Sequence, residues 1–222
     1  MGNLFIPNSK KIHIAIIPDG GRRWAKLNNY NYEYSYKITL NKISEIMNLL
    51  FEKNVSILSV YFSSIHNFKR PQEEINSFCK PQAHFINTEL TDFAVKNEIQ
   101  VKVFGEKKSL PEYMQTSIEN VEKITNKYNN RKIYLFINYS SILEIQNNKL
   151  FNFIYKGELI NIAEPVNILI RTGGANVLSD FLLLQNAFSR IYFLDELFND
   201  LDIKIINDIY GEYLNLSLKY GE

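Results

Sequence analysis

The sequence predicts a single α/β domain whose mainly parallel central sheet is flanked by helices. Two observations carry that expectation. Six β-prone apolar runs recur along the chain, at Ile12–Ile17, Ser56–Tyr61, Ile99–Phe104, Ile133–Ile137, Val166–Ile170 and Ile191–Phe193. Most of the stretches between them carry apolar residues at helical spacing. Strands that are apolar throughout, rather than alternating, belong to sheets covered on both faces, which is the parallel arrangement. In such sheets ligands sit beyond the carboxyl ends of the strands.

With 222 residues, 45% of them hydrophobic and 22% charged, the chain can bury one substantial core and is too apolar for a disordered protein. Its 25 basic and 24 acidic side chains leave a formal charge of +1. No global field therefore favours nucleic acid or an anionic membrane, and any basic site has to be local. The single Cys79 cannot form an internal disulfide, and no Cys/His cluster has zinc-ligand spacing, so a reducing, cytoplasmic setting is expected. The start, Met1–Asn8, lacks the basic and apolar regions of a signal peptide, and Ile6 stands where a myristoylation pattern needs Ser or Thr. No run reaches the 18 or so apolar residues of a membrane span, so no stable membrane insertion is expected.

The first apolar run ends in Pro18-Asp19-Gly20-Gly21-Arg22-Arg23-Trp24. A buried strand would deliver Asp19 to a glycine turn that opens a helix, where backbone N–H groups and the helix dipole favour a phosphate. Arg22 and Arg23 suit a polyanion, which leaves Asp19 to hold a hard cation such as Mg²⁺. The same pattern also suits an ordinary turn into a basic helix start. Ile38, Ile43, Ile46, Met47 and Leu50 then predict a helix. Beyond the second run, Ser63–Pro71 is a polar loop with Pro71 suited to the first helical position, either a cap or a ligand loop.

Residues 73–98 predict one long helix that Pro81 should kink. Its apolar side, with Phe78, Phe85, Ile86 and Phe93, lines either a hydrophobic slot or the ordinary core. After the fifth run comes Arg171-Thr172-Gly173-Gly174, and an arginine at the end of a buried strand needs an anion or a salt-bridge partner. Asp19, Ser63–Arg70 and Arg171–Gly174 all follow strands, so the three stretches can converge on one rim. His13 and His84 read as packed or exposed residues rather than bases, and His66 is a weak candidate for proton transfer. Residues 147–164 are the least patterned segment. Asp202–Tyr220 predicts a terminal helix with an apolar face at Ile205, Ile206, Ile209, Tyr213, Leu214 and Leu216.

Taken in order, these stretches resemble the cis-prenyltransferase family, whose best-known members are undecaprenyl diphosphate synthases. His13–Ala25 is similar to the family's H-x-A-x-I-M-D-G-N-x-R-W-A signature, and Leu58–Pro71 to its Y-x-F-S-x-E-N-W-x-R-P block. Ile170–Gln185 with Tyr192-Phe193 resembles I-R-T-[SG]-G-E-x-R-x-S-N-F-L-x-W-Q and its trailing E-x-Y-F. Val101–Gly105, Asn138-Tyr139 and Tyr220-Gly221 also fall in family order. The resemblance implies a homodimer, a parallel sheet with a hydrophobic tunnel, and Mg²⁺-dependent joining of an allylic diphosphate to isopentenyl diphosphate. On the matching positions it implies that Asp19 holds Mg²⁺ on the allylic diphosphate, that Gly20, Arg23 and Arg70 cradle that group, and that Asn67 and Ser64 sit beside the reacting carbons. Gly21, Arg22, Trp24, Tyr36 and Phe62 would complete the substrate site, and Arg171 and Ser179 would hold the second diphosphate.

The departures from that pattern are specific. Gly21 replaces the asparagine of D-G-N, Arg22 stands where glycine is common, and Tyr32 and Tyr36 replace a later arginine and histidine. At the second site Ala175, Val177 and Arg190 stand for a glutamate, an arginine and a metal-binding glutamate. Each lost charged hydrogen bond costs about 1.5–3 kcal/mol, roughly ten- to 150-fold in affinity. The span from Glu144 to Val166 is shorter than usual, and Phe62 stands where long-chain synthases have a small residue. The expectation is an enzyme that ionises a short allylic diphosphate and makes a short product, by irregular coupling as in lavandulyl-type synthases or by one condensation. Two other readings are a single-substrate terpene cyclase and a noncatalytic partner subunit. The cyclase D-D-x-x-D motif is absent, and Asn207-Asp208 lacks the remaining ligands of that class's second metal motif.

Overall fold

A computed structural model describes residues 11–147 and 163–216. The first ten residues, most of the unpatterned 147–164 segment and the Tyr220-Gly221 match lie outside the described residues. Six strands form one sheet: β1 (His13–Ile17), β2 (Ile57–Tyr61), β3 (Ile99–Phe104), β4 (Arg131–Phe136), β5 (Ile168–Arg171) and β6 (Arg190–Phe193). All neighbours pair parallel, in the order β3-β4-β2-β1-β5-β6. The expected sheet is thus present, and wholly rather than mainly parallel. After β4 the chain crosses the sheet, so β1 lies between β2 and β5, and their carboxyl ends meet at one rim.

Alternate residues of each strand face two cores. Ile14, Ile16, Leu58, Val60 and Val101 join the core built with α2 (Tyr32–Glu52), α3 (Gln72–Phe85) and α5 (Glu112–Thr125). Ala15, Ile17, Tyr61, Phe136 and Leu169 face the other side, against Tyr139, Phe181 and Leu182. Burial on both faces explains why the strands read as unbroken apolar runs. Helix α1 (Gly21–Leu27) follows β1, and α2 starts at Asn31, whose side chain accepts from the Tyr34 N–H at 2.8 Å. α6 (Ser141–Asn147) follows β4. No helix among the described residues is long and apolar enough to cross a membrane.

Residues 73–98 hold the expected long helix, continuous from Gln72 to Lys96, with its irregularity beyond Pro81: α3 continues through Pro81 to Phe85, a π-helical turn follows at Ile86–Leu90, and α4 (Thr91–Lys96) completes it. The wider turn keeps Ile86 and Leu90 both buried, and the Thr91 hydroxyl donates to the Ile86 carbonyl at 2.6 Å. Pro71 immediately precedes α3. The last described helix, α7 (Ile203–Leu214), begins at Asp202, whose side chain accepts from the Lys204 N–H. It buries Ile206, Ile209, Tyr210 and Tyr213, the i, i+3, i+4, i+7 stripe. Leu214, expected on that face, is 55% exposed, while Tyr210, not expected there, is buried.

The two sheet edges differ. Along β3 the N–H groups of Val101 and Val103 donate to Thr125 Oγ1 and Glu122 Oε1, and Lys107 pairs with the same carboxylate at 2.8 Å. That edge is satisfied by α5. On the opposite edge β6 leaves Ile191 and Phe193 36% and 38% exposed.

His13, read above as packed or exposed, is packed. Its Nε2 lies 2.7 Å from Ser59 Oγ and its Nδ1 3.0 Å from the Glu164 carbonyl. Burial pushes its pKa down from 6.5 to about 4. Between those values the unfolded chain binds a proton that the folded protein refuses, so stability should fall with pH across this window, by about 3 kcal/mol in all. Denaturant titrations at pH 7, 5.5 and 4.5 should give a steeper pH loss for the native protein than for His13→Asn. Equal slopes would show that His13 does not contribute this term.

Candidate active site

The turn after β1 is shaped by its neighbours rather than by α1. Asp19 N–H donates to Thr172 Oγ1 at 3.0 Å, and the Thr172 hydroxyl donates back to the Asp19 carbonyl at 2.9 Å. Gly20 then turns at φ +110°, where a Cβ would lie 2.7 Å from a Leu197 methyl carbon. Across the rim, Gly173 adopts φ +83°, and a Cβ there would meet Arg23 Nη2 at 2.6 Å. Both positions thus need glycine for conformation and for space.

Arg171 ends β5 opposite Ile17 and is buried. Its Nη2 donates to Asp19 Oδ2 at 2.8 Å, and its Nη1 donates to the Val177 carbonyl at 2.7 Å and to Ser179 Oγ at 2.5 Å. Arg23 approaches the other Asp19 oxygen at 3.4 Å. Ser179 and Asp180, with φ +50° and +58°, are left-handed without being glycine. Arg171 holds the first, while Asp180 accepts from the Ser140 hydroxyl and from the Ile142 N–H. Such held strain clusters at ligand clamps.

Glu74 at the start of α3 joins the first two stretches: its Oε1 takes Arg22 at 2.8 Å and Arg70 at 3.0 Å. In the loop after β2, Asn67 Oδ1 accepts from the Ser64 N–H at 2.7 Å and from its hydroxyl at 3.0 Å. The Asn67 amide N–H groups are thereby turned away from that turn. Burial raises the Tyr36 pKa, an effect that the positive charges of Arg70 and Arg22 partly offset.

These groups surround one cavity of about 540 Å³. Asp19, Gly20, Gly21, Arg22, Arg23, Arg70, Arg171 and Ser179 line it together with Lys26, Tyr36, Phe62, Ser64 and Asn67. All but one of the sequence-predicted site residues therefore meet in one place. The exception is Trp24, outside the lining: its indole N–H donates to Asp200 Oδ1 at 2.6 Å and its ring stacks on Tyr30. His66 is exposed and also outside the lining. Val177 offers Arg171 only its carbonyl, and Arg190 starts β6 at the opposite end of the sheet, 3.7 Å from Glu212.

The cavity also contains residues that sequence reasoning passed over. Lys26 follows Arg22 and Arg23 by one helical turn, a spacing that was readable. Leu40 and Ile43 of α2 and Gln82 of α3, all buried, also line it. Gln82 left one signal, a polar residue four positions after Phe78 on the apolar side of its helix.

The family model described as "Putative undecaprenyl diphosphate synthase" matches residues 17–221, and the chain belongs to that family, the cis-prenyltransferases. Its members are enzymes that transfer prenyl groups. An isoprenyl transferase from Fusobacterium nucleatum subsp. nucleatum is 34% identical over 223 residues, 94% of this chain and 95% of that protein. The fold matches the crystal structure of lavandulyl diphosphate synthase from Lavandula x intermedia in complex with dimethylallyl diphosphate. The TM-score is 0.85 at 25% identity, covering 95% of this chain and 98% of that one. A probable undecaprenyl diphosphate synthase from Campylobacter jejuni gives a TM-score of 0.78 at 25% identity, over 97% and 100% of the two chains.

Replacing Arg171 by Met should lower the unfolding free energy by about 2–4 kcal/mol. It leaves the Ser179 hydroxyl and the Val177 carbonyl short of a donor and deprives Asp19 of its shorter ion pair. Urea denaturation measures this, and a change below about 0.5 kcal/mol would mean that the ion pair is not structural.

Proposed function

We propose that the chain ionises a short allylic isoprenoid diphosphate with Mg²⁺ and couples the allyl group, irregularly or in a single condensation, into a short product. The observation that carries this reading is the cavity itself: Arg22, Arg23, Lys26, Arg70 and Arg171 and the carboxylate of Asp19 line the same space as Leu40, Ile43 and Phe62. Phe62 lines the cavity and packs on Phe85 at 6.3 Å between ring centroids. The lavandulyl diphosphate synthase neighbour, solved with dimethylallyl diphosphate, supports a five-carbon allylic substrate.

Breaking an allylic C–O bond sends its electron pair to the departing diphosphate. Arginines aimed at that charge in a site shielded from water stabilise the transition state more than the substrate. Arg23 and Arg70 fill that role here, and Arg22 adds charge where Tyr32 and Tyr36 replace basic groups. Asn67 and Ser64 lie on the wall where the allyl carbons would rest. The allyl carbon then bonds to the acceptor's alkene, and the acceptor loses a proton. Arg171 and Ser179 would hold the acceptor's diphosphate, with Ala175 and Val177 supplying no charge to it.

The donor set fits Mg²⁺. No group of three or more His, Cys, Asp or Glu side chains among the described residues could hold a metal alone. Asp19 offers a half-exposed carboxylate beside the basic mouth, as suits a cation shared with substrate phosphates. When bound, Mg²⁺ supplies charge neutralisation on the diphosphate. We place the reaction in a reducing cytoplasm, where the single thiol, buried Cys79, stays reduced.

Purified protein with Mg²⁺ should release diphosphate from dimethylallyl or geranyl diphosphate, alone or with isopentenyl diphosphate, and give a product of short chain by mass spectrometry. Asp19→Ala should lower turnover by about a thousandfold or more. No diphosphate release from any combination would overturn the reading. A cyclic product from one substrate would assign a cyclase instead, and full activity of Asp19→Ala with a partner chain would assign a noncatalytic subunit.

The exposed apolar residues of β6 support a homodimer built across that edge. Sedimentation should give twice the 26.0 kDa chain mass, and Ile191→Glu with Phe193→Glu should shift it to the single mass. A native protein that sediments at the single mass would refute the dimer.

A further inference from the structure

We infer that Asp180 is a positioning residue for the second diphosphate: its carboxylate clasps the start of α6 and so holds Ser179 on Arg171. The inference rests on the reading that Arg171 and Ser179 hold the acceptor's diphosphate. Ser179 and Arg171 line the cavity, and Asp180 lies outside that lining.

The turn that carries Ser179 does not keep its shape by local preference. Ser179, Asp180 and Leu182 have φ of +50°, +58° and +49°, the left-handed region that side chains other than glycine disfavour. Such backbone persists where its surroundings over-determine it. Four hydrogen bonds to Ser140–Ile142 supply that constraint. Asp180 Oδ2 accepts from the Ser140 hydroxyl at 2.5 Å, and Oδ1 accepts from the Ile142 N–H at 3.1 Å. The Asp180 carbonyl accepts from the Ser141 N–H at 3.1 Å, and the Leu183 N–H donates to Ser141 Oγ at 3.0 Å. Ser140 Oγ also accepts from the Leu143 N–H at 3.2 Å, so the opening N–H groups of α6 are used within this joint. Ser140 and Ser141 are both buried, which keeps water from replacing these bonds.

The cavity side of the same turn is held by Arg171 and Tyr61. Arg171 Nη1 donates to Ser179 Oγ at 2.5 Å, and the Tyr61 hydroxyl donates to the Ser179 carbonyl at 3.3 Å. Phe181, fully buried, stacks on the Tyr61 ring at 4.5 Å between centroids. Arg171 reaches Asp19 through its other terminal nitrogen, Nη2. Loosening the turn therefore frees Ser179 and leaves the Asp19 pair, and with it the allylic side, in place. An asparagine at position 180 can accept from the Ile142 N–H through its oxygen and donate to Ser140 through its amide, so it should serve where alanine cannot.

The test is calorimetric titration, with Mg²⁺, of the native protein, Asp180→Ala, Asp180→Asn and Ser140→Ala. Each is first titrated to saturation with dimethylallyl thiolodiphosphate, an unreactive allylic analogue, and then with inorganic diphosphate as the probe of the second site. Asp180→Ala should weaken the second binding step roughly tenfold or more and change the first by less than about twofold. Asp180→Asn should restore the second step to within about threefold of native. Ser140→Ala, which cuts the clasp from the α6 side, should weaken the second step in the same selective way and guards against misfolding of Asp180→Ala, with thermal melts as the check. An unchanged second step in the folded alanine variants overturns the role of Asp180 and leaves the diphosphate reading intact. Equal weakening of both steps also overturns it, because Asp180 would then support the fold as a whole. If the native protein binds neither probe, or binds only the first, the diphosphate reading of that site falls and the role of Asp180 falls with it.

Discussion

The ion pair between Asp19 and Arg171 joins the ends of two neighbouring strands, and the geometry of the cavity mouth follows from it. Register sets Ile17 beside Arg171, so the acid and the base emerge from the sheet two residues apart in height and reach each other across the rim. Thr172 locks the Asp19 backbone, and the glycine at position 173 leaves room for Arg23 to approach the same carboxylate. A single acid thereby organises two arginines from different stretches. Burying Arg171 without that acid would leave a desolvated cation at the end of an apolar strand, a cost that few local contacts could offset.

From this pair the charges spread outward. Glu74 brings Arg22 and Arg70 onto one oxygen, so α3 and its leading loop are drawn against the turn after β1. The site is therefore rich in cations that carboxylates gather in pairs. Under the proposed function a diphosphate entering there would meet arginines already placed, which is the condition for electrostatic stabilisation of a leaving group. Leu40, Ile43 and Phe62 add apolar contact to the same lining.

The sheet explains why these opposite environments share one cavity. In a parallel sheet with the order β3-β4-β2-β1-β5-β6 the central strands end together, so polar loops gather at one rim while α2 and α3 wall the space with their apolar sides. The same topology leaves two edges. One is sealed by Thr125 and Glu122 of α5, and the other keeps its apolar residues exposed.

The strands and most of the cavity's lining were determined by sequence alone, because both depend on local order: apolar runs ended by charged or glycine-rich turns. Asp19, Ser64, Asn67, Arg70 and Arg171 each stand just beyond a strand, and a parallel sheet has only one rim for them to share. Tertiary structure decided what depends on partners distant in the chain. Trp24 turns out toward Asp200, Arg190 starts a strand and so lies at the far end from Asp19, and the irregular turn of the long helix falls at Ile86–Leu90 rather than at Pro81.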